Sequence, residues 1–439
     1  MTTVPPVVVG GGAAGMLTAV AFSRPDDRPV VLLDRAGAFA RGVAYTTSED
    51  VHLLNVPAGR MSADPEAPSD FLDWLLRRQP EADAETFARR SLYGEYLAER
   101  LARAPGVISR HGEAVDIAAT ERGLRLTLAD GATVEASSVV VAPGNLPPTL
   151  PPGWAELPEH VAWRTPWGGE GAWPARNAEV LLLGAGLTAV DVALSLDARG
   201  HRGTIHVLSR HGLLPRPNPV RAFTSGDASD VPRGVRGLVR WMRTEAEHTD
   251  PRALIDFVRP RITELWQAFG AVEQRRFLRH VRPWFDVHRH RIAPEVAARL
   301  AVLAAEGRLR IHAGRLSSLT PRNGQLTVHY RPRGERNTAS IEVELAVPCT
   351  GPDQQMSRVP DRFIVSLLGR GLARPGPHGI GLATRADGAL EGPAADRLWT
   401  LGPMRRGSLW ETTAIPEIRL QARTIGEAMR RRVGETALG

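Results

Sequence analysis

The sequence of 439 residues contains no lysine, so all 55 of its basic residues are arginine. A Schiff-base enzyme and a Walker-type phosphate loop both need a lysine side chain, and both are therefore excluded. An arginine-only bias follows genome base composition, because arginine has GC-rich codons and lysine does not. The net charge of +7 thus gives no reason to expect a nucleic-acid partner, and we expect none.

Cysteine is almost absent as well, since Cys349 is the only one. An intrachain disulfide, a redox-active cysteine pair and a four-cysteine metal site are therefore excluded. The sequence has no apolar run long enough to cross a bilayer. The opening residues MTTVPPVVV lead into an apolar stretch without a basic leader region. We expect a cytoplasmic enzyme with no membrane partner, and a homo-oligomer is left open.

A glycine-rich turn between an apolar strand and an apolar helix opens the chain, in PVVVGGGAAGMLTAVAF. Its glycines have the G-x-G-x-x-G spacing: Gly10, Gly12 and Gly15. This spacing allows a tight turn, close approach of a pyrophosphate and close packing of helix on strand, and the helix N-terminus offers amide donors to the phosphates. The next apolar strand ends in Asp34, at the separation expected for an acid that binds ribose hydroxyls. This pattern predicts a dinucleotide site; the alternative is a glycine-rich loop in another α/β protein.

The same unit recurs over residues 179–210, in EVLLLGAGLTAVDVALSL and the strand that follows. Gly184 and Gly186 form the turn, and Ala189 takes the place of the third glycine. The following strand ends in Ser209 and Arg210 rather than in an acid. A carboxylate would repel a 2′-phosphate, whereas a hydroxyl and a guanidinium bind one. We therefore predict FAD at the first turn and NADPH at the second; the alternative for Arg210 is a solvated surface arginine.

Strand patterns at 101–150 and 341–352 indicate where the chain passes between domains. The first ends in an apolar strand and Gly144, a residue expected at the cofactor, and the second closes the repeated nucleotide unit. We predict an FAD-binding domain built from residues 1–150 and 346–439. An NADPH-binding domain is predicted over 175–345, with a mostly helical, substrate-side insertion at about 225–307.

Longer blocks of the sequence resemble a known group of flavoproteins. The blocks are GGGAAG, GVAYTTSEDVHLLNVPAGRMSADPEAPSDFLDWL, RRSLYGEYL, WFDVHRHRIAPEV, PCTGP and GPMRRGSLWETTAIPEIR. Over essentially its whole length the chain resembles the two-dinucleotide flavoproteins related to flavin-containing and N-hydroxylating monooxygenases. More narrowly, it resembles the bacterial FAD/NAD(P)-binding proteins, to which nitrosuccinate-forming aspartate N-hydroxylases are related. The resemblance implies an α/β fold with two Rossmann-like dinucleotide-binding domains and a helical insertion.

The resemblance also implies roles for individual residues. Asn55 and Met61 would lie near the edge of the isoalloxazine, where oxygen and nicotinamide meet; the alternative is a packed loop in which Asn55 caps backbone groups. Gly402 would approach the ribityl chain. The amides of Thr413, Ala414 and Ile415 would face the flavin C2 carbonyl from a helix N-terminus, which stabilises an anionic reduced flavin.

FAD and NADPH without a redox-active cysteine pair leave three classes of function. The first is a monooxygenase in which NADPH reduces the flavin, dioxygen forms a hydroperoxyflavin and one oxygen passes to a nucleophilic small molecule. The second is an NAD(P)H oxidoreductase that passes electrons to a quinone or a protein. The third is a nucleotide-binding sensor without turnover. We favour the first, with N-hydroxylation of a small anionic amine or amino acid.

Four consecutive basic residues, His288, Arg289, His290 and Arg291, stand out in DVHRHRIAPEV. A metal site would need a further ligand at a suitable spacing, and only Asp286 is near, so we expect no metal. Pro294 starts the next helix, which places the basic residues beside a helix N-terminus, a location suited to anions. They could bind a substrate carboxylate or the phosphates of the nicotinamide cofactor, and we predict the substrate carboxylate because Arg210 already accounts for the 2′-phosphate. The alternative is that the arginines join helices through carboxylates.

Overall fold

The computed structural model describes residues 4–23, 29–121, 123–167, 173–218 and 231–438, with side chains of the last helix described to residue 431. Within these ranges the strands are, in chain order, β1 (Val7–Val9), β2 (Val30–Asp34), β3 (Val107–His111), β4 (Ala114–Thr120), β5 (Gly123–Leu128), β6 (Thr133–Ala136), β7 (Val139–Val141), β8 (Val180–Leu183), β9 (Ile205–Ser209), β10 (Leu309–Arg322), β11 (Gln325–Pro332), β12 (Ala339–Val343), β13 (Leu345–Pro348) and β14 (Leu398–Thr400).

The α-helices are listed in the same way. They are α1 (Ala13–Phe22), α2 (Gly42–Tyr45), α3 (Asp70–Leu76), α4 (Arg90–Ala102), α5 (Leu187–Ala198), α6 (Val235–Glu245), α7 (Pro251–Val258), α8 (Ile262–Ala268), α9 (Ala271–Arg276), α10 (Arg282–Arg289), α11 (Pro294–Ala305), α12 (Arg362–Gly369), α13 (Arg406–Leu409) and α14 (Ile415–Leu438), with a π-helical turn at Phe277–Val281 between α9 and α10. No helix in the described part of the chain is both long and apolar enough to span a membrane.

A five-stranded parallel sheet contains strands from both ends of the chain, in the order β14-β7-β1-β2-β3. Its inner strands are short runs of apolar residues buried on both faces, as parallel strands covered by helices require. One face packs against α1, α4 and α14, and the other against α12 and the β4-β5-β6 antiparallel sheet. This arrangement places the first glycine turn at the carboxyl end of β1, where α/β sheets bind ligands.

A six-stranded sheet forms the second half of the fold, in the order β12-β11-β10-β9-β8-β13. Strands β10, β9, β8 and β13 are parallel, and β11 and β12 extend the sheet in antiparallel fashion. Because β13 pairs with β8 through Pro348, this sheet continues beyond the predicted domain boundary at 345.

Helices α6 to α11 form the insertion between β9 and β10, from Val235 to Ala305. The buried side chains of α6, α7, α8 and α10 form a separate apolar core with the aromatic residues Trp266, Phe277 and Phe285, and Trp410 joins this core from the C-terminal part of the chain. Helix α11 packs instead on the six-stranded sheet. The start of the predicted insertion, residues 225–230, lies outside the described residues. The insertion is thus attached to the segment that leads into α14.

Candidate cofactor and substrate site

The first glycine turn needs glycine for steric reasons at two positions. Gly10 has a φ of +108°, and a Cβ there would lie 2.1 Å from the Ala142 carbonyl oxygen. A Cβ at Gly15 would lie 1.8 Å from the carbonyl oxygen of Gly10. These close approaches bring β1, β7 and α1 together and aim the N-terminus of α1 out of the carboxyl end of the sheet.

Gly12 differs from Gly10 and Gly15, the other two glycines of the motif, because the space that its side chain would occupy is open. A Cβ there would meet nothing in the described structure closer than the Cα of Gly42, at 3.4 Å. Gly12 is also the N-cap of α1 and uses no side-chain cap. The open space in front of free helix amides is the cradle that a pyrophosphate would fill.

Asp34 ends β2 beside this turn. Its Oδ2 accepts a hydrogen bond from Gly11 N at 2.8 Å, and its Oδ1 accepts one from Ala36 N at 2.8 Å. Each oxygen keeps a second lone pair, so the carboxylate is oriented and still able to accept from ribose hydroxyls. It lines a cavity of about 90 Å³ beside the turn. Gly144 follows β7 with a φ of +72° and open space at its Cβ position among the described residues.

The C-terminal segment is fixed by a closed set of buried hydrogen bonds around Gly402. The amide of Gly402 donates to Gln421 Oε1 at 3.1 Å, and Gln421 Nε2 donates to Thr412 Oγ1 at 2.8 Å. Thr412 Oγ1 donates in turn to the Gly402 carbonyl at 3.0 Å. Helix α14 then begins at Ile415, so Thr413 and Ala414 lie directly before its first turn.

The His52–Met61 loop meets the same region. Met61 is buried, and it belongs to the same apolar cluster as Ile415. Arg419 of α14 donates to the Ser62 carbonyl at 2.6 Å. The first glycine turn, this loop and the N-terminus of α14 therefore face one region, although a role for each residue there stays a prediction.

Asn55 lies in this loop with a half-buried side chain. Its carbonyl accepts a hydrogen bond from Asn218 Nδ2 at 3.4 Å, and the same amide group lies 3.2 Å from the Ile292 carbonyl. Among the described residues none hydrogen-bonds to the Asn55 side chain, which agrees less well with a backbone cap than with a free group. Asn218 thus connects the loop to the segment just after Arg291.

The second glycine turn repeats the first. Gly184 has a φ of +116°, and a Cβ there would lie 2.0 Å from the Cys349 carbonyl oxygen. At Gly186 a Cβ would meet no described atom within 4 Å. Ala189, in the third position, is buried against the sheet. The open position in front of α5 matches the open position at Gly12.

The chain after β9 carries the predicted phosphate-binding residues. Ser209 lies opposite Ala313 of β10, and its Oγ accepts a hydrogen bond from Gly212 N at 3.0 Å. Arg210 is exposed and forms no ion pair with any described residue. Both side chains are therefore available to an anion at this edge of the sheet.

Two further arginines lie close to Arg210, although the local sequence did not indicate them. Burial lowers the pKa of His211, and the positive charges of Arg333, Arg210 and Arg315 lower it further. Arg315 and Arg333 are exposed and, within the described ranges, have no carboxylate partner. They come from β10 and the turn after β11, so only the sheet pairing reveals them. Three unpaired guanidinium groups make this edge strongly positive.

Both arginines among the four consecutive basic residues are paired with carboxylates. Arg289 is buried, and its Nε donates to Glu411 Oε2 at 2.9 Å. Arg291 is also buried, and it donates to both oxygens of Asp256, at 2.7 and 2.9 Å. These contacts favour the alternative that the sequence left open, in which the arginines join helices through carboxylates.

The two histidines point elsewhere. His288 Nδ1 lies 2.8 Å from the Trp284 carbonyl oxygen within α10. Burial lowers the pKa of His290 to about 4, against the opposing effect of Asp286. His290 is therefore neutral near pH 7, and it lacks the charge that a carboxylate receptor would use.

Arg289 takes part in a buried charge network at the N-terminus of α14. Glu417, in the first turn of α14, accepts a hydrogen bond from Arg259 Nε at 3.2 Å and lies 3.8 Å from Arg289. Trp410 has a φ of +63°, and the amide of Glu411 donates to the Leu409 carbonyl at 2.8 Å across it. A non-glycine residue in this conformation is strained. The strained turn places the Glu411 carboxylate against Arg289.

Contacts between α4 and α5 join the two nucleotide units. Arg90 forms a bidentate pair with the buried Asp191, at 2.6 and 3.0 Å. His52 Nε2 lies 3.1 Å from the Asp191 carbonyl oxygen and 2.9 Å from Ser195 Oγ. This role of His52 could not be predicted, because a lone histidine gives no local signal in the sequence. No described group of three or more His, Cys, Asp or Glu residues is placed to hold a metal ion.

Comparison with known proteins agrees with this geometry. Residues 7–146 match the family model described as FAD-NAD(P)-binding. The fold is similar to the ornithine N-hydroxylase of Kutzneria sp. 744 with reduced FAD, NADP⁺ and L-ornithine (TM-score 0.69, 15% identity, 98% of this chain and 100% of that chain). It is also similar to L-lysine 6-monooxygenase from Pseudomonas syringae, with a TM-score of 0.70 and 17% identity. That match covers 98% of this chain and 100% of the other.

The fold is similar, too, to the bacillithiol disulfide reductase of Staphylococcus aureus, with a TM-score of 0.60 and 14% identity. That match covers 98% of this chain and 99% of the other. No curated protein matches the sequence. The family model confirms the predicted dinucleotide-binding domain at the first turn. The structural likenesses confirm the α/β fold of the two-dinucleotide flavoproteins, and the predicted resemblance holds at the level of fold.

Proposed function

We propose that the protein is an FAD-dependent, NADPH-oxidising monooxygenase that N-hydroxylates a small anionic amine or amino acid. The observation that carries this proposal is the meeting of three elements at one place: the first glycine turn, the His52–Met61 loop and the N-terminus of α14. The fold shared with ornithine and lysine hydroxylases supports the reaction class.

The residues present fit both cofactors. Gly12 leaves the space for a pyrophosphate, and Asp34 keeps lone pairs for ribose hydroxyls. Gly186 leaves a similar space in the second unit, and Arg210 with its two arginine neighbours suits a 2′-phosphate. When bound, the flavin supplies the redox chemistry, and the protein's own groups bind, orient and exclude water. The N-terminal turn of α14 would place amide donors at the flavin.

The substrate's anionic group is best matched by Arg60, which precedes Met61. Arg60 is exposed, has no partner among the described residues, and lies close enough to Arg291 to lower the pKa of that guanidinium. Arg289 and Arg291 are already neutralised by carboxylates. We therefore assign the substrate carboxylate to Arg60, whose guanidinium has no carboxylate partner among the described residues.

A reductase that passes electrons to a quinone or a protein is the second candidate, favoured by the fold shared with the bacillithiol disulfide reductase. Direct disulfide chemistry is excluded for this chain, because its single cysteine cannot form a redox pair. The remaining distinction is whether oxygen or another acceptor takes the electrons.

The first experiment compares anaerobic flavin bleaching by NADPH and NADH. Wild-type protein should be reduced at much lower NADPH than NADH concentration. Arg210→Ala should lower the apparent affinity for NADPH roughly tenfold, because it removes one charge-assisted hydrogen bond to the 2′-phosphate. The apparent affinity for NADH should not change. Equal reduction by both coenzymes in wild type and variant would remove the argument for a 2′-phosphate site.

The second experiment screens amino acids, amines and dicarboxylates for oxygen uptake coupled to hydroxylated product. Arg60→Ala should raise the KM for an anionic substrate roughly 10- to 150-fold, from the loss of ~1.5–3 kcal/mol. Flavin reduction by NADPH should be unchanged, and Arg322→Ala, an exposed arginine on β10, serves as the matched control. If quinones accept electrons readily and no amine raises coupling, the reductase is the function.

A further inference from the structure

A cavity of about 480 Å³ lies inside the helical insertion, away from the residues assigned to the cofactors. This volume is within the range of roughly 300–1,000 Å³ that small-molecule pockets have. Its walls come from α6, α7, α8, the π-helical turn, one face of α10, and Trp410. Asn55, Met61, Gly402 and Arg60 are not among its lining residues in the described structure. Its lining includes His288, one of the basic residues predicted to bind the substrate, but no residue assigned to a cofactor.

The walls of this cavity are almost wholly apolar. Helix α6 turns Leu238, Val239 and Met242 towards it, and these side chains are only half-buried. Trp266 and Trp410 close the opposite side, with ring centroids 4.9 Å apart. Protein interiors are normally close-packed, and unfilled apolar space is destabilising. An apolar ligand that fills the cavity would restore the missing contacts.

The mouth of the cavity has the opposite character. An adjoining cleft of about 510 Å³ shares five lining residues with the cavity, namely Val235, Val239, Arg243, His280 and Val281. Its other lining residues are Arg236, Arg240 and Arg276, of which Arg276 is paired with Glu273. Arg236, Arg240 and Arg243 lie on the outer face of α6, are exposed, and have no carboxylate partner among the described residues. An apolar chamber therefore opens onto unpaired positive charge.

We propose that this cavity binds an aliphatic chain that ends in an anionic head group. The chain would lie between α6 and the Trp266–Trp410 pair, and the carboxylate or phosphate would pair with Arg240 and Arg243. Guanidinium groups bind both anions in bidentate geometry. A polar amino acid would leave the apolar walls without contacts, and a cationic amphiphile would be repelled at the mouth. The site uses no cofactor residue, so it stands whether or not the protein is a monooxygenase.

Isothermal titration calorimetry on the flavin-containing protein tests this proposal with ligands below their micelle-forming concentrations. Decanoate and decyl phosphate should bind, and comparing them shows which anionic head is preferred. Acetate, which has the head without the chain, and decyltrimethylammonium, which has the chain with a positive head, should not bind measurably.

Variants at the two parts of the site make the test specific. Val239→Trp, or Ala246→Phe if the first does not fold, should fill the cavity and abolish decanoate binding. Arg243→Glu should weaken it at least about tenfold, and Arg322→Glu, an exposed arginine on β10, should not change it. Unchanged flavin absorbance and melting temperature confirm folding.

Three results would overturn the proposal. Equal binding of the cationic amphiphile would show a merely apolar surface. Undiminished decanoate binding by a folded cavity-filled variant would place the ligand elsewhere. Binding to phosphatidylglycerol vesicles without binding of soluble decanoate would show that the basic face of α6 meets a membrane surface instead.

Discussion

Removing the Arg289 guanidinium tests whether this buried cation supports the fold or the substrate. The side chains of Arg289 and Glu411 are only 6% and 9% exposed, and their charged groups approach to 2.6 Å. Glu417 has a second partner in Arg259, but among the described residues Glu411 has no other ion pair of this closeness. Arg289→Ala therefore leaves a buried carboxylate without its counter-charge beside the N-terminus of α14.

The expected loss is large. Removing one partner of a buried ion pair costs ~3–5 kcal/mol, which corresponds to a fall in melting temperature of roughly 6–20 °C at about 2–4 °C per kcal/mol. Arg289→Met combined with Glu411→Gln removes both charges and should be destabilised by less than the sum of the single changes. A coupling energy of ~0.5–3 kcal/mol between the two positions is expected.

Differential scanning calorimetry on the flavin-containing proteins gives the comparison, since a chain with more than one domain need not unfold in two states. Arg60→Ala is the matched control, because it removes an exposed guanidinium nearby and should leave the melting temperature unchanged. The reasoning is refuted if Arg289→Ala melts like wild type while substrate-stimulated oxygen uptake alone is lost. Arg289 would then be the substrate receptor that the sequence suggested.

Three further predictions concern cofactor binding, acid and thiol chemistry. Gly12→Val should fold, because a Cβ at Gly12 meets only Gly42 at an ordinary 3.4 Å, yet it should be colourless; a variant that keeps full FAD shows that the first site is misassigned. Because burial depresses the pKa of His290 from 6.5 to about 4, folding favours its neutral form, so its contribution to stability is present above pH 6.5 and is lost as the pH falls towards 4. His290→Gln should flatten this part of the curve of melting temperature against pH, and an unchanged curve would contradict the lowered pKa of His290. Burial raises the pKa of the Cys349 thiol, so a thiol reagent should modify the native protein far more slowly than the urea-unfolded protein, and equal rates would contradict its burial.

Local patterns predicted the parts of this protein that depend on neighbouring residues. The glycine spacing at Gly10 and Gly184 requires a strand, a turn and a helix in immediate succession, and both were predicted correctly. Pro294 and Ile415 begin helices as expected, because the N-terminal preference of proline and the change in apolar pattern are visible in the sequence.

Contacts between segments that are distant in the chain could not be predicted from the sequence. The partners of Arg289 and Arg291 lie more than thirty residues away, so a run of basic residues could not show that its charges are already neutralised. Arg315 and Arg333 join Arg210 only through sheet pairing. The pairing of β13 with β8, far earlier in the chain, was not visible in the sequence for the same reason.

The contacts between α4 and α5 also determine how the molecule can move. Arg90 and Asp191, the His52 hydrogen bonds, and the pair of Arg199 with Glu49 (Nε to Oε1, 3.1 Å) all join the first nucleotide unit to the helix that follows the second glycine turn. A hinge rotation between the units would have to break all of them at once. The molecule is therefore mechanically a stiff frame, in which the two dinucleotide sites keep a constant spacing. We therefore expect small molecules to enter and leave without a rotation of one nucleotide unit against the other.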